Sequence, residues 1–150
     1  LYRQLALLRR HWAAILVSVA AGCLACAVAL LLCAKALGMS PELYHSLQPK
    51  SVTNAIALGI SETLGGVTGI TSLAVTASAL LAVGLGNGLF RLLRTAHPSA
   101  KGLALGNATH ALGTAAAMEL GEVEGAMSSL TIVVAGVMTV LLAPVFAGLL

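Results

Sequence analysis

W-A-A-I-L-V-S-V-A-A-G-C-L-A-C-A-V-A-L-L-L-C-A, residues 12–34, runs for 23 residues between His11 and Lys35 without a formal charge. A helix of about 20 residues crosses the ~30 Å hydrocarbon core of a bilayer, so this stretch is long enough to span. Two more charge-free windows follow: 63–90 between Glu62 and Arg91, and 125–150 after Glu124. The spacing predicts three membrane helices, near 12–37, 67–93 and 123–149. The whole composition agrees: 59% of the 150 residues are apolar and only 9% carry charge, against about 25% charged in a soluble domain. Mean hydropathy is +0.99. Such a chain cannot cover a water-soluble globule with polar side chains. A soluble enzyme, a disordered tail and a free-standing nucleic-acid binder are all disfavoured. The net charge of +3 makes no basic patch for nucleic acid.

Two shorter segments break the pattern. Residues 51–61 are uncharged but too short to span. Residues 102–118 are uncharged yet contain Asn107, Thr109, His110 and Thr114 among several glycines. Short helices are expected near 50–63 and 103–119. Both resemble the broken or re-entrant elements of transporters, where irregular backbone is tolerated at membrane depth because protein or a water-filled cavity surrounds it. The expected fold class is therefore all-α: a polytopic integral membrane protein with half-helices.

Basic residues give the orientation. Arg3, Arg9 and Arg10 precede the first span and Arg91, Arg94 and Lys101 follow the second, so both clusters fall on one side, read as cytoplasmic. The loop holding Pro41, Glu42, Tyr44 and His45 then faces outward, with Lys35 and Lys50 as exceptions on that side. Trp12 reads as an interface anchor. Cys23, Cys26 and Cys33 all lie inside the first span; no His or second Cys pair accompanies the C-x-x-C, so the expectation is packing residues and no metal. Beginning with Leu, the chain reads as a piece of a longer protein.

Gly65-x-Val67-x-Gly69-x-x-Ser72 recurs as Gly121-x-Val123-x-Gly125-x-x-Ser128, an offset of 56 residues, with Thr53/Thr109 and Phe90/Phe146 at the same distance. Repeats over 50–93 and 106–149 with one crossing each would be antiparallel, the inverted plan of many secondary transporters.

Two constellations carry candidate chemistry. In Pro49-Lys50-Ser51-Val52-Thr53-Asn54, Pro suits a helix start and Ser51 or Thr53 an N-cap. The free amides and positive dipole end favour an anion, and Lys50 adds a full charge; the competing reading is an interfacial loop whose Lys reaches headgroups. In the second, Asn107, His110 and Thr114 fall at i, i+3, i+7, one face of a regular helix. His110 titrates near neutral pH, about 6.5 in model peptides. Glu119, Glu122 and Glu124 follow, and Glu119, closest to the His110 stripe, is the acid expected to be buried. A helix break near Gly113 or Gly121 would be needed to bring it to His110. Gly121-x-x-x-Gly125 allows close helix approach. Gly84-Leu85-Gly86-Asn87-Gly88 follows no strand and reads as helix packing, with no phosphate loop. No nucleophile, base and orienter set is present, which argues against an enzyme.

The residues L-Q-P-K-S-V-T at 47–53, I-S-E at 60–62, G-G at 65–66, A-K-G-L-A-L-G at 100–106 and A-T-H-A-L-G-T-A-A-A-M-E-L-G-E-V-E-G-A-M-S-S-L at 108–130 resemble the LrgB/CidB family. The resemblance covers essentially the whole chain and identifies 1–150 as an LrgB-like transmembrane domain shortened at its start. It implies an antiholin-like or holin-like membrane protein linked to murein hydrolase control and autolysis. It also implies a transporter of small monocarboxylates of the pyruvate, glycolate or glycerate type, as in the plastid branch. A non-transporting regulator acting through membrane oligomers is the alternative. Implied besides are a bacterial inner-membrane location, a small LrgA-type membrane partner, a homo-oligomer, and no cofactor. On that reading Lys50, Ser51, Thr53, Asn54, Asn107, His110 and Thr114 bind the substrate, while His110, Glu119 and Glu122 couple protons. The chain departs from the family at Asn54-Ala55, where Thr-Pro is usual, and at Ala116, where several members carry Arg.

Overall fold

The computed structural model describes residues 5–150, with side-chain environments from Trp12 onward. Arg3 of the basic cluster lies outside the described residues, as do the side chains of Arg9, Arg10 and His11. Six helices follow one another: α1 Leu5–Leu37, α2 Pro41–Leu47, α3 Asn54–Thr63, α4 Thr68–Leu92, α5 Pro98–Leu120 and α6 Glu122–Ala147. No strand occurs among the described residues. Three helices are long and apolar enough to cross a membrane, over Trp12–Leu37, Thr68–Leu92 and Glu122–Ala147, within a few residues of the spans expected from charge-free windows. Their outer faces are apolar: Val17, Leu81, Val133 and Leu141 are all more than 60% exposed. In water that would be an aggregation liability; against acyl chains it is the expected surface.

The loop expected around Pro41 is partly a helix. Ser40 caps α2, its hydroxyl accepting from the Leu43 amide at 3.3 Å, and Pro41 occupies the first turn. That Ser-Pro-Glu start was readable as a helix signal. Within the segment Tyr44 and Ser46 are fully buried. The reason lies in the last turn of α6. Tyr44 Oη donates to Phe146 O at 3.1 Å, an oxygen that also accepts from the Leu149 amide, and Gln48 Nε2 donates to Ala143 O at 2.7 Å. Burial pushes the Tyr44 phenol above its ordinary value, so the hydroxyl stays protonated and donating.

α3 starts at Asn54, later than residue 50, because Thr53 is still extended (φ −57°, ψ 139°). α5 starts at Pro98, earlier than residue 103, because proline suits its first turn. α5 is also not straight. His110 has φ 48° and ψ −116°, and the chain reverses there. Gly102 abuts Glu124 and Met127, and Gly106 abuts Ser128 and Thr131, so residues 98–109 run parallel to α6. Past the break the order inverts: Thr114 pairs with Ser128, and Met118 packs on Gly125, so residues 111–120 run antiparallel to it. A methyl on Gly113 would lie 2.5 Å from Leu105 O, a distance that eight residues of straight helix, about 12 Å, do not allow. α5 is a re-entrant helical hairpin with His110 at its tip.

Small residues make the hairpin fit. A methyl on Gly106 would sit 2.6 Å from Ser128 O and 2.8 Å from Thr131 Cβ, so only hydrogen fits between this arm and α6. Gly106→Val should therefore destabilise the fold by about 1–3 kcal/mol through overpacking. Gly84→Ala, where nothing lies within 4 Å, should be neutral or stabilising by up to ~1 kcal/mol from helix propensity. Denaturation midpoints in detergent micelles check both, and equal losses at the two positions would contradict this packing.

Candidate functional site

The first short segment is a second re-entrant element. Leaving α2, the chain runs through Gln48–Thr53, turns into α3, and returns so that the Val67 amide donates to Ser46 Oγ at 2.7 Å. A methyl on Gly66 would lie 2.8 Å from the Ser46 nitrogen. The two elements enter from opposite ends of α6. Tyr44 and Gln48 sit at its C-terminal end, whereas Gly102 sits beside Glu124 at its N-terminal end. Their tips meet between, where His110 Nε2 contacts the Ser51 carbonyl oxygen.

That contact assigns the histidine tautomer. A carbonyl oxygen only accepts, so Nε2 carries the hydrogen. Nδ1 of the neutral ring is then an acceptor. His110 is 4% exposed, and Nδ1 is buried with no hydrogen-bond partner among the described residues. A buried unpaired acceptor costs about 1–3 kcal/mol and calls for an explanation. The backbone at His110 adds to the cost, because a non-glycine residue at φ 48° is strained.

Around the tips lie the expected anion-binding features. Lys50 Nζ is 3.1 Å from Cys26 Sγ and 3.4 Å from Ser51 Oγ, and it is half-buried. Ser78 Oγ of α4 donates to Lys50 O at 3.2 Å. Thr53, the residue before α3, makes no side-chain cap bond. Both outgoing arms, α3 and residues 111–120, begin at the tips. Their first amides have no acceptor inside the helix, and both positive dipole ends face the meeting point.

The other expected site residues spread outward. Asn54 Nδ2 donates to Ser72 Oγ on α4 at 3.1 Å. Asn107 packs against Gly22 and accepts from Cys23 Sγ at 3.4 Å. Thr114 and Ser128 share a buried hydrogen bond of 2.7 Å. The single polar face drawn through 107, 110 and 114 does not persist, because the helix breaks at its middle residue. The helix breaks at His110 itself and again at Gly121, one of the two expected positions, and not at Gly113; neither break brings Glu119 to His110. Residues 111–120 stay helical, leaving Glu119 nine residues, about 13 Å, from His110. Glu119 and Glu122 are exposed and Glu124 is half-buried, so the expected burial of Glu119 is not found; it lies at the hairpin's base, away from the tip.

The cysteines were read as packing residues, and two of them are more than that. Cys23 and Cys26, one turn apart on α1, touch one re-entrant element each. Their i, i+3 spacing was the available signal. No group of three or more metal-ligating side chains occurs among the described residues.

The chain matches the family model described as the LrgB-like family over residues 1–149. It is 44% identical over 146 residues to the antiholin-like protein LrgB of Bacillus mycoides (strain KBAB4). It is 43% identical to those of Bacillus cereus (strain B4264) and Bacillus anthracis (strain CDC 684 / NRRL 3495). Each alignment covers 97% of this chain and 64% of the relative, so the chain spans slightly less than two thirds of these proteins. No solved structure matches it.

Docking of the first tip on α1 can be trapped directly. Cys26 Sγ lies 3.2 Å from Ser51 Oγ. Ser51→Cys, with Cys23 and Cys33 replaced by Ala, should form an internal disulfide with Cys26 on mild oxidation, detected by peptide mass spectrometry. Absence of the bridge in correctly inserted protein would place this tip elsewhere.

Proposed function

The chain belongs to the LrgB-like family, and from that premise we propose that it builds the substrate site of a secondary transporter for small hydroxy- or keto-monocarboxylates. The observation that carries the reading is the buried, unpaired His110 Nδ1 at the meeting point of two opposed re-entrant elements. Broken helices meeting near the middle of the membrane are the usual way a transporter fold presents amides and dipole ends to a substrate. Lys50 and the starts of α3 and residues 111–120 supply positive potential for a carboxylate. A substrate hydroxyl can donate to neutral Nδ1. When the ring is protonated, Nδ1–H can donate to a carboxylate oxygen instead. The same imidazole thus couples substrate and proton, without help from Glu119 or Glu122.

The internal repeat fits this reading. Shifted by 56 residues, α3 and α4 fall on 110–119 and 124–148, against the outgoing arm at 111–120 and α6 at Glu122–Ala147. Each repeat would then be one re-entrant arm plus one span, inverted relative to the other. The joins differ in detail: Gly65 has φ 77°, whereas Gly121 is extended.

The relatives are named antiholin-like proteins. Carboxylate or proton flux through such a site would connect transport to murein hydrolase activity and autolysis, with the bacterial inner membrane as the place of action and a small LrgA-type membrane protein or further copies of this chain as partners. A regulator working only through membrane oligomers has no use for a half-buried lysine and a buried imidazole nitrogen without a partner in one site.

His110→Gln in the intact protein should leave membrane abundance unchanged. It should lower uptake of labelled pyruvate, glycolate or glycerate at least tenfold, about 1.4 kcal/mol, and flatten its dependence on pH near neutrality. Lys50→Gln should raise KM more than it lowers the maximal rate, because it removes charge from the binding site. Wild-type uptake with an unchanged pH profile in His110→Gln would remove the imidazole from the mechanism.

A further inference from the structure

A cavity of about 490 Å³ lies at the opposite end of the re-entrant hairpin from His110, between the end of α4 and the base of α5. Asn87, Phe90, Arg91, Arg94, Lys101 and Leu120 are among its walls. Lys101 comes from the incoming arm of the hairpin and Leu120 from the outgoing arm, so the cavity exists only because α5 folds back. Three cations converge on it, and its lining includes no carboxylate among the described residues. Glu119 and Glu122 flank Leu120 in sequence, but neither forms part of the wall.

The backbone at Arg94 is held in an unusual state. α4 ends with the Arg94 amide bonded to Arg91 O at 3.2 Å and the Thr95 amide to Phe90 O at 2.9 Å, a closing turn that places Arg94 at φ 51°. Glycine normally fills that left-handed position. An arginine there accepts strain, and it lines the cavity together with Arg91 and Lys101. An anion in the cavity would offset the repulsion among these like charges.

Position selects the anion. The cavity lies where the α4 span ends, at the level where hydrocarbon gives way to headgroups. Leu92 and Leu93 beside it are 77% and 71% exposed, a surface suited to acyl chains, and Phe90 and Leu120 give the cavity itself an apolar wall. We propose that this cavity holds the phosphate headgroup of an anionic phospholipid, with Arg91, Arg94 and Lys101 around the phosphate and the acyl chains lying along α4. Basic pockets between membrane helices are a recognised way of binding such headgroups. The site is separate from the His110 tip, and neither reading depends on the other.

The test measures the apparent melting temperature of the intact protein in mixed micelles. Phosphatidylglycerol should raise it above the value in phosphatidylcholine, and millimolar inorganic phosphate should not. The phosphatidylglycerol concentration giving half the shift should rise at least tenfold in Arg94→Gln/Lys101→Gln and little in Arg94→Lys. A readout on the unaltered protein covers the case in which the double variant does not fold: rising sodium chloride should erase the shift, because exposed charges are screened over about 8 Å at 0.15 M salt. An equal shift in the double variant, a shift insensitive to salt, or full reproduction by inorganic phosphate would each overturn the proposal. Carboxylate uptake by the tip site would stand in any of these cases.

Discussion

Backbone amides and carbonyls left unpaired in hydrocarbon are expensive, and the chain must interrupt its helices twice at membrane depth. Everything else in the structure follows from how those interruptions are shielded. Each break is placed against the other, His110 on the Ser51 carbonyl. The surrounding spans close over both: α1 through Cys23 and Cys26, α4 through Ser78, and α6 through Ser128 and Thr131. Protein closes over the His110 side chain, which is 4% exposed, while Asn54 and Leu112 beside the tips stay exposed.

Shielding of this kind demands close approach, and close approach demands small residues. There is little gain in burying apolar surface between helices already in lipid, so association rests on packing and interhelical hydrogen bonds. Gly22 makes room for Asn107, Gly102 and Gly106 let the hairpin lie flat on α6, and Gly125 receives Met118. The hydroxyl pairs Thr114–Ser128 and Thr71–Ser61, each 2.7 Å, fasten the outgoing arms to the spans that follow them. Such contacts hold the tips at a defined depth, which any substrate site between them requires.

The same geometry separates two kinds of charge. Lys50 is drawn into the interior, where its ammonium is partnered, among the described residues, by a thiol and a hydroxyl. Arg91, Arg94 and Lys101 stay at the end of the α4 span. A cation held at depth with weak partners is suited to meeting a charged solute. Cations clustered at the boundary of the hydrocarbon are suited to headgroups.

Much was legible in the residues alone, because it depends on local quantities. Uninterrupted apolar length marked the three spans, since crossing the hydrocarbon is a matter of length and charge. Polar residues and glycines in 51–61 and 102–118 marked the two irregular segments. Proline and capping residues marked helix starts, including those of α2 and α5 that the reading of charge-free windows passed over. The direction of the chain after His110 was not legible. A stripe at i, i+3, i+7 assumes a continuous helix, and one residue with positive φ reverses the path, carrying Asn107 to α1 and Thr114 to α6. That Ser51 and His110 share a site is expected from their polarity at depth, but sequence could not show that the imidazole would meet the Ser51 carbonyl, 59 positions away, or that Lys101 and Leu120 would share a wall. The sequence by itself determined which stretches are long and apolar enough to cross a membrane and which segments between them are irregular, because those follow from transfer energies and local backbone preference. Only the tertiary structure decided which atoms of the broken ends meet and which way the chain leaves them, because that depends on the fit of small residues between helices distant in the chain.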